Sequence, residues 1–338
     1  MTTRWRAVLA PVLVPALMAA TGQAAGQATD FYKDKVLTIV VAGGPSGGHT
    51  RYARLIGPYL QKHSGAREVR ITNMPGGGGL KAANHFWNLK PDGMNIFFGN
   101  VATLILAPLA GSPGAKFDST KFTFLGRATS EPRLLTVGGK SAIKSFQDVR
   151  NLNRPFVYPS QGTDEDFYTM AVLADVLGFK LKAVTGYEGN ADTALAVIKG
   201  DGDGHITGWS ESQGAIAAGD KRPIMVIASQ RHAQYPDVPT AAELAPADKR
   251  ALIVAIVDIN ETHRSYIGPP KMDPNATAAF RAALKAAMND PALIEETRKG
   301  NRPVSYMDGA QQQKVVARIT QASTGLSPIL KSAVKAIQ

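Results

Sequence analysis

The sequence predicts an α/β protein of two lobes with a cleft between them, the first series of elements forming a doubly wound sheet. Three observations predict it. β-Branched runs of strand length alternate with stretches of helical periodicity. Glycine-rich turns join several strands to the helices that follow. The alternation then restarts near residue 128, giving two α/β units closed by a helical C-terminus.

The elements follow in order. Val36 to Ala42 (VLTIVVA) is long enough for one buried strand, and Gly43 to Gly48 (GGPSGG) is the turn behind it. Tyr52, Leu55, Ile56, Tyr59 and Leu60 recur at helical spacing, with Pro58 a point of kinking. Val69–Thr72 reads as a strand, Pro75–Gly79 as a second glycine turn, Leu80–Trp87 as a helix and Asn95–Gly99 as a third strand before a helix from Val101. In the second unit Leu134–Val137, Phe156–Tyr158, Leu181–Val184, His205–Thr207 and Ile224–Ala228 read as strands. Helices are expected over Asp166–Leu177 and over Ala191–Lys199, the latter with Leu195 and Ile198 on one face. Ala276, Phe280, Leu284 and Met288 form one C-terminal stripe, and Val315, Val316 and Ile319 another.

Composition narrows the function. The 338 residues hold 38 Lys and Arg against 27 Asp and Glu, a net charge of +11, with no cysteine. The missing cysteine excludes disulfides, thiolate metal sites, a thiol nucleophile and a lipidated N-terminal Cys. The positive charge is dispersed rather than gathered on one segment, so a nucleic-acid partner is not expected. Met1–Arg6 is positive, Ala7–Ala20 is uncharged, and Thr21–Ala28 is rich in small residues. That is the plan of a secretory signal peptide over residues 1–28, cleaved near Ala24–Ala28, and it predicts a periplasmic protein.

Gly44-Pro45-Ser46-Gly47-Gly48 satisfies G-x-S-x-G between a strand and a helix. A hydrolase using Ser46 is the alternative this raises, but the motif follows the first strand, and His263 is the only late histidine. The dinucleotide fingerprint and the phosphate-binding Lys loop are absent, and Asp201–Gly204 lacks the later ligands of a calcium loop. The six histidines show no metal-ligand spacing. No catalytic residue, metal or cofactor is therefore assigned. What remains is the chemistry of glycine turns that open helices. Their free backbone N–H groups and the helix dipole attract anions, here at Ser46–Thr50, Gly77–Gly79 and Gly162–Asp164.

Val36–Arg54 (VLTIVVAGGPSGGHTRYAR), Asn73–Asn84 (NMPGGGGLKAAN), Lys90–Gly93 (KPDG), Tyr158–Thr163 (YPSQGT), Tyr187–Gly189, Lys199–Asp201 and Pro236–Glu243 (PDVPTAAE) occur in this order. In these the chain resembles the extracytoplasmic solute receptors of tripartite tricarboxylate transporters, often called Bug proteins. The resemblance runs from about Phe31 to the C-terminus. It implies a fold like the type II periplasmic-binding proteins, two α/β lobes joined by hinge strands: lobe 1 over 29–127 with 254–338, lobe 2 over 128–253, hinged near 127–130 and 250–256. It also implies a monomeric receptor that closes over a small organic anion, a carboxylate, and delivers it to integral-membrane transporter components. A ligand sensor or scaffold of the same fold is the other alternative. The ligand-binding residues implied are Gly44, Ser46, Gly47, Gly48, His49 and Thr50 on the first loop and Ser160, Gln161, Gly162, Thr163 and Asp164 on the second. Tyr187, Asn73, Thr103, Thr207 and Trp209 are the expected walls. Asp164-Glu165-Asp166 is expected to cap its helix and point to solvent, because carboxylates facing the cleft would repel an anion.

Overall fold

The computed structural model describes residues 30–337. The expected leader, residues 1–28, lies outside them. The strands are β1 (Val36–Val41), β2 (Glu68–Asn73), β3 (Asn95–Gly99), β4 (Thr123–Arg127), β5 (Arg133–Gly138), β6 (Phe156–Pro159), β7 (Leu181–Val184), β8 (Gly204–Gly208), β9 (Lys221–Ile227), β10 (Ser265–Gly268) and β11 (Met307–Asp308). The helices are α1 (Gly48–Ser64), α2 (Leu80–Trp87), α3 (Val101–Leu109), α4 (Phe146–Arg150), α5 (Glu165–Leu177), α6 (Asn190–Lys199), α7 (Trp209–Ala217), α8 (Ala241–Leu244), α9 (Arg250–Asn260), α10 (Pro274–Met288), α11 (Pro291–Lys299), α12 (Gly309–Ala322) and α13 (Ser327–Ala336). Among the described residues no helix is long and apolar enough to cross a membrane.

Two groups of strands result. The first is a six-stranded sheet in the order β11-β4-β10-β3-β1-β2. Its β1 is parallel to β2 and β3, while β10 runs antiparallel to β3 and β4. Helix α1 and helix α10 bury one face of it through Tyr52, Ile56, Leu60, Ala276, Phe280 and Leu284. The second group is the antiparallel sheet β8-β5-β9 beside the parallel pair β6-β7. Helix α5 is buried along nearly its whole length, in a core shared with β5, β6, α3 and α9. The chain crosses between the groups along Ala128–Pro132 and returns through α9 and the segment Glu261–Arg264.

Two local expectations change. Residues 250–256, expected as a hinge strand, are the first two turns of α9. After Arg250 the run Ala251–Val257 (ALIVAIV) is apolar throughout, which masks the period. Burial of Ile253, Ile256, Val257 and Asn260 shows it to be helical. On α6 the inward residues are Thr193, Ala196 and Val197, whereas Leu195 is 47% exposed.

Strand β9 opens on a buried lysine, and it carries a testable cost. Lys221 is 4% exposed, and its Nζ lies 3.1 Å from His205 Nδ1. Burial lowers its pKa from 10.5 to about 8, while Glu211 pulls weakly the other way. A depressed lysine pKa means that stability is fully present above pH 10.5 and lost as pH falls towards 8. At neutral pH the group therefore costs about 3 kcal/mol. Lys221→Met removes that cost and orphans His205 Nδ1, worth about 1 kcal/mol. The variant should be roughly 2 kcal/mol more stable in urea denaturation at pH 7. By pH 10 it should hold no lead over the wild type. A variant that is less stable at pH 7 would show that the amine is solvated.

Candidate functional site: the junction of three loops

The first loop is braced from within. Beyond β1 the chain turns through Gly43–Gly47, and α1 starts with Gly47 at its N-cap and no side chain capping it. The Thr50 hydroxyl donates to Gly44 O at 2.8 Å. Asn73, at the end of β2, donates to Gly43 O and to Thr50 Oγ1, both at 2.7 Å. These bonds fix the turn and leave the first amides of α1 without a partner inside the helix. Ser46 sits exposed at the tip.

The second loop leaves β6 at Pro159. The Ser160 hydroxyl donates to Gly162 O at 2.8 Å, and Gly162 holds a φ of +130°. Gln161 donates to Asn190 Oδ1 at 2.6 Å. Asp164 caps α5 by accepting from Phe167 N at 2.9 Å. A third turn, Pro75–Gly79, meets the second loop at Gly78. A Cβ there would lie 2.8 Å from Asp164 Cβ and 3.0 Å from its backbone N. Thr103, at the start of α3, accepts from Glu165 N at 3.2 Å. The glycine turn of the first sheet thus seats directly on the loop of the second.

Two buried arginines organise the charge at this junction. Arg133, at the start of β5, pairs with Glu165 at 2.8 Å and with Asp166. His263 Nε2 lies 3.0 Å from the same Glu165 oxygen, and its ring is 5.0 Å from that of His49. Arg264 is 1% exposed, pairs with Glu131 and Glu211, and lies over the Tyr52 ring at 4.6 Å. Glu131 in turn accepts from Ser210 N at 2.7 Å and so caps α7. Burial raises the Glu165 and Asp166 pKa values, against the pull of Arg133, and Asp166 reaches about 7. Burial acts on Glu211 in the same sense, but Arg264 and Arg133 outweigh it and hold that carboxyl at about 2. His49 and His263 are pushed well below the ordinary histidine value by burial and by the neighbouring cations, so both are neutral at pH 7.

This geometry can be set beside known proteins. A family model described as the tripartite tricarboxylate transporter family receptor matches residues 53–331. The chain belongs to this family. A curated UPF0065 protein of Bordetella bronchiseptica is 26% identical to the receptor over 226 residues, and the match spans 64% of each chain, just under two thirds. Among solved structures, the periplasmic binding protein BugD has a TM-score of 0.73 at 17% identity, over 89% of the receptor and 98% of that chain. MatC from Rhodopseudomonas palustris, solved with bound malate, has a TM-score of 0.71 at 21% identity, over 87% and 98%. These two likenesses are of fold, and they match the two α/β lobes expected from the sequence.

The receptor's expected site residues divide into partly exposed loop positions and side chains already bonded within the protein. Gly44, Ser46, Gly47, Gly48 and His49 stand at or beside the start of α1, and Gln161, Gly162, Thr163 and Tyr187 are half-buried along the second loop. Ser160 is buried and spends its hydroxyl on Gly162. Thr50, Thr103 and Thr207 are buried at 0–2% exposure and bond within the protein, Thr207 to Glu211 Oε2 at 3.1 Å. Asn73 is spent on the first loop, and Trp209 stacks on His232 and donates to Gln234.

The acidic run corrects an expectation. Asp164 caps its helix as predicted, but Asp164, Glu165 and Asp166 are 9%, 4% and 6% exposed and do not point to solvent. Glu165 and Asp166 answer Arg133 and His263 instead. Glu188 is exposed. Among the described residues no imidazole is hydrogen-bonded to the Ser46 hydroxyl. Sequence reasoning missed Glu131, Arg133, Glu211 and Arg264. Arg133 is visible only as a charge opening the apolar run LLTV, and Glu211 only as an acid in a first helical turn.

Proposed function

We propose that this receptor captures a small organic anion, a carboxylate, between its two lobes and presents the closed form to the membrane components of a tripartite transporter. The carrying observation is one juxtaposition. The uncapped start of α1, the glycine turn at Gly78 and the second loop meet at a place held by two buried arginines. Helix starts and guanidinium groups are the donors that carboxylates pair with. The malate bound to MatC, a protein of the same fold, is a ligand of this class. On this reading Gly44, Gly47, Gly48 and His49 supply the first wall and Gln161–Thr163 with Tyr187 the second. Lobe 1 comprises 29–127 with 254–338 and lobe 2 comprises 128–253. The receptor acts in the periplasm as a monomer, exported by the leader over residues 1–28. Closure follows from mass action, since a solute touching both lobes stabilises the form in which they meet.

A thermal-shift panel tests the reading. The receptor, purified from the periplasm of an expressing host, is dialysed and heated with mono-, di- and tricarboxylates, amino acids and sugars. A ligand at 100 times its Kd adds about 2.7 kcal/mol, a rise of roughly 5 °C or more. We expect that rise within one class of carboxylates. Shifts confined to sugars or cationic amines would overturn the anion reading.

A further inference from the structure

Three helix starts at the junction are met by carboxylates of the protein itself. Asp164 caps α5, Glu131 caps α7, and the third case is different. Helix α1 has no cap of its own, and the carboxylate beside its start comes from Glu211, on the first turn of α7 in the other group of strands. A methyl group at Gly48 would overlap the Glu211 carboxylate and would lie 2.9 Å from Arg264 Nη2. The same oxygen of Glu211 pairs with Arg264. The second oxygen accepts from Thr207 Oγ1 at 3.1 Å and from Asn190 Nδ2 at 3.4 Å. The Glu211 side chain keeps 13% of its surface exposed, whereas Arg264 keeps 1%. The arginine is therefore fixed, and the glutamate is the member of the pair that borders solvent. Arg264 also retains Glu131 when Glu211 leaves.

We infer that Glu211 is a tethered carboxylate lying where a solute carboxylate would pair with Arg264 and the start of α1, so that a solute binds by displacing it. The inference rests on the proposed anion-binding reading of the first loop. It makes Glu211 a specificity-determining residue. A solute must replace an acid that already holds three partners, Arg264, Thr207 and Asn190, so neutral solutes and weak hydrogen-bond acceptors are rejected. It also explains glycine at position 48, because any side chain there would fill the space the two carboxylates contest.

Chemical rescue tests it. In Glu211→Ala the tethered acid is gone, and sodium formate is the free one. With ionic strength matched by sodium chloride, 100 mM formate (about that concentration, chosen to exceed millimolar affinities) should raise the melting temperature of the variant and leave the wild type unmoved. Dicarboxylates, with malate as the probe, should bind Glu211→Ala about tenfold more tightly than wild type in calorimetry, because the self-occupied form no longer competes. Glu211→Gln keeps the shape and serves if the alanine variant fails to fold. As a neutral, weaker competitor it should also tighten malate binding. No formate response in Glu211→Ala together with unchanged malate affinity in Glu211→Gln would overturn the inference. So would malate binding that weakens in both variants, since Glu211 would then be a solute contact. If no carboxylate shifts the wild type but formate still stabilises Glu211→Ala, the tethered-acid inference stands and the function reading fails.

Discussion

Replacing Arg264 with Met is expected to remove about 3–5 kcal/mol of folding stability, the range for breaking a buried ion pair from one side. For a chain of this size that is a fall of roughly 6–10 °C in melting temperature. The reason lies in what remains. Arg264 is almost fully buried between Glu131 and Glu211 and covers the Tyr52 ring. Methionine can keep the packing on Tyr52, but it offers no donor to either acid. Glu131 still accepts from Ser210 N and Oγ, so part of its solvation survives. Its charge has lost Arg264, the buried cation paired with it. Adding Glu131→Gln to Arg264→Met should therefore recover a substantial part of the loss, although Glu131→Gln alone destabilises. A double-mutant cycle by urea denaturation reads this coupling directly. If Arg264→Met costs under about 1 kcal/mol, the figure for an exposed pair, water reaches these acids and the junction is not sealed.

The sequence carries the parts of this molecule whose cause is local. Leu80–Trp87, Asn95–Gly99 and Leu181–Val184 have the bounds read from pattern alone. Each is punctuated by glycine, proline or a polar turn, and a turn is a property of a few adjacent residues. The glycine loops are legible for the same reason, since Gly76–Gly79 all hold positive φ. Helix α9 is not legible, because a run of Leu, Ile, Val and Ala buried against several elements looks the same as a strand. The acidic run fails for a deeper reason. Acids in a first helical turn are ordinary helix chemistry whether they face water or an arginine. The partner that decides between the two, Arg133, lies 33 residues from Asp166, at the start of β5. Nothing near Asp164 announces it. The two loops were therefore legible, and the arginine–carboxylate scaffold between them was not.

Gly78→Ala should weaken solute binding far more than its effect on stability suggests. Gly78 has a φ of +63°, and alanine there costs about 1–2 kcal/mol of backbone strain. Gly77 has a φ of +56°, so Gly77→Ala carries the same strain. The two positions differ in what faces them. A Cβ at Gly77 meets only Leu80 Cβ, at 3.7 Å, an ordinary contact within its own turn. A Cβ at Gly78 comes within 2.8–3.0 Å of Asp164 Cβ, Cα and N, and those atoms belong to a capped helix start that cannot yield as a side-chain tip would. Relief requires the glycine turn and the second loop to part by most of an ångström, since carbon atoms rest about 3.5–4.0 Å apart. Both variants should thus melt at nearly the same temperature, a few degrees below wild type. Only Gly78→Ala should lose affinity for the carboxylate selected in the thermal-shift panel, by roughly 30-fold, or about 2 kcal/mol. Small-angle scattering supplies the readout that does not depend on a ligand. Gly78→Ala should show a larger radius of gyration than Gly77→Ala. Equal affinities and equal radii in the two variants would mean that solute capture does not require these loops to touch. The closure mechanism would then have to run through Thr103 and the arginine pairs alone.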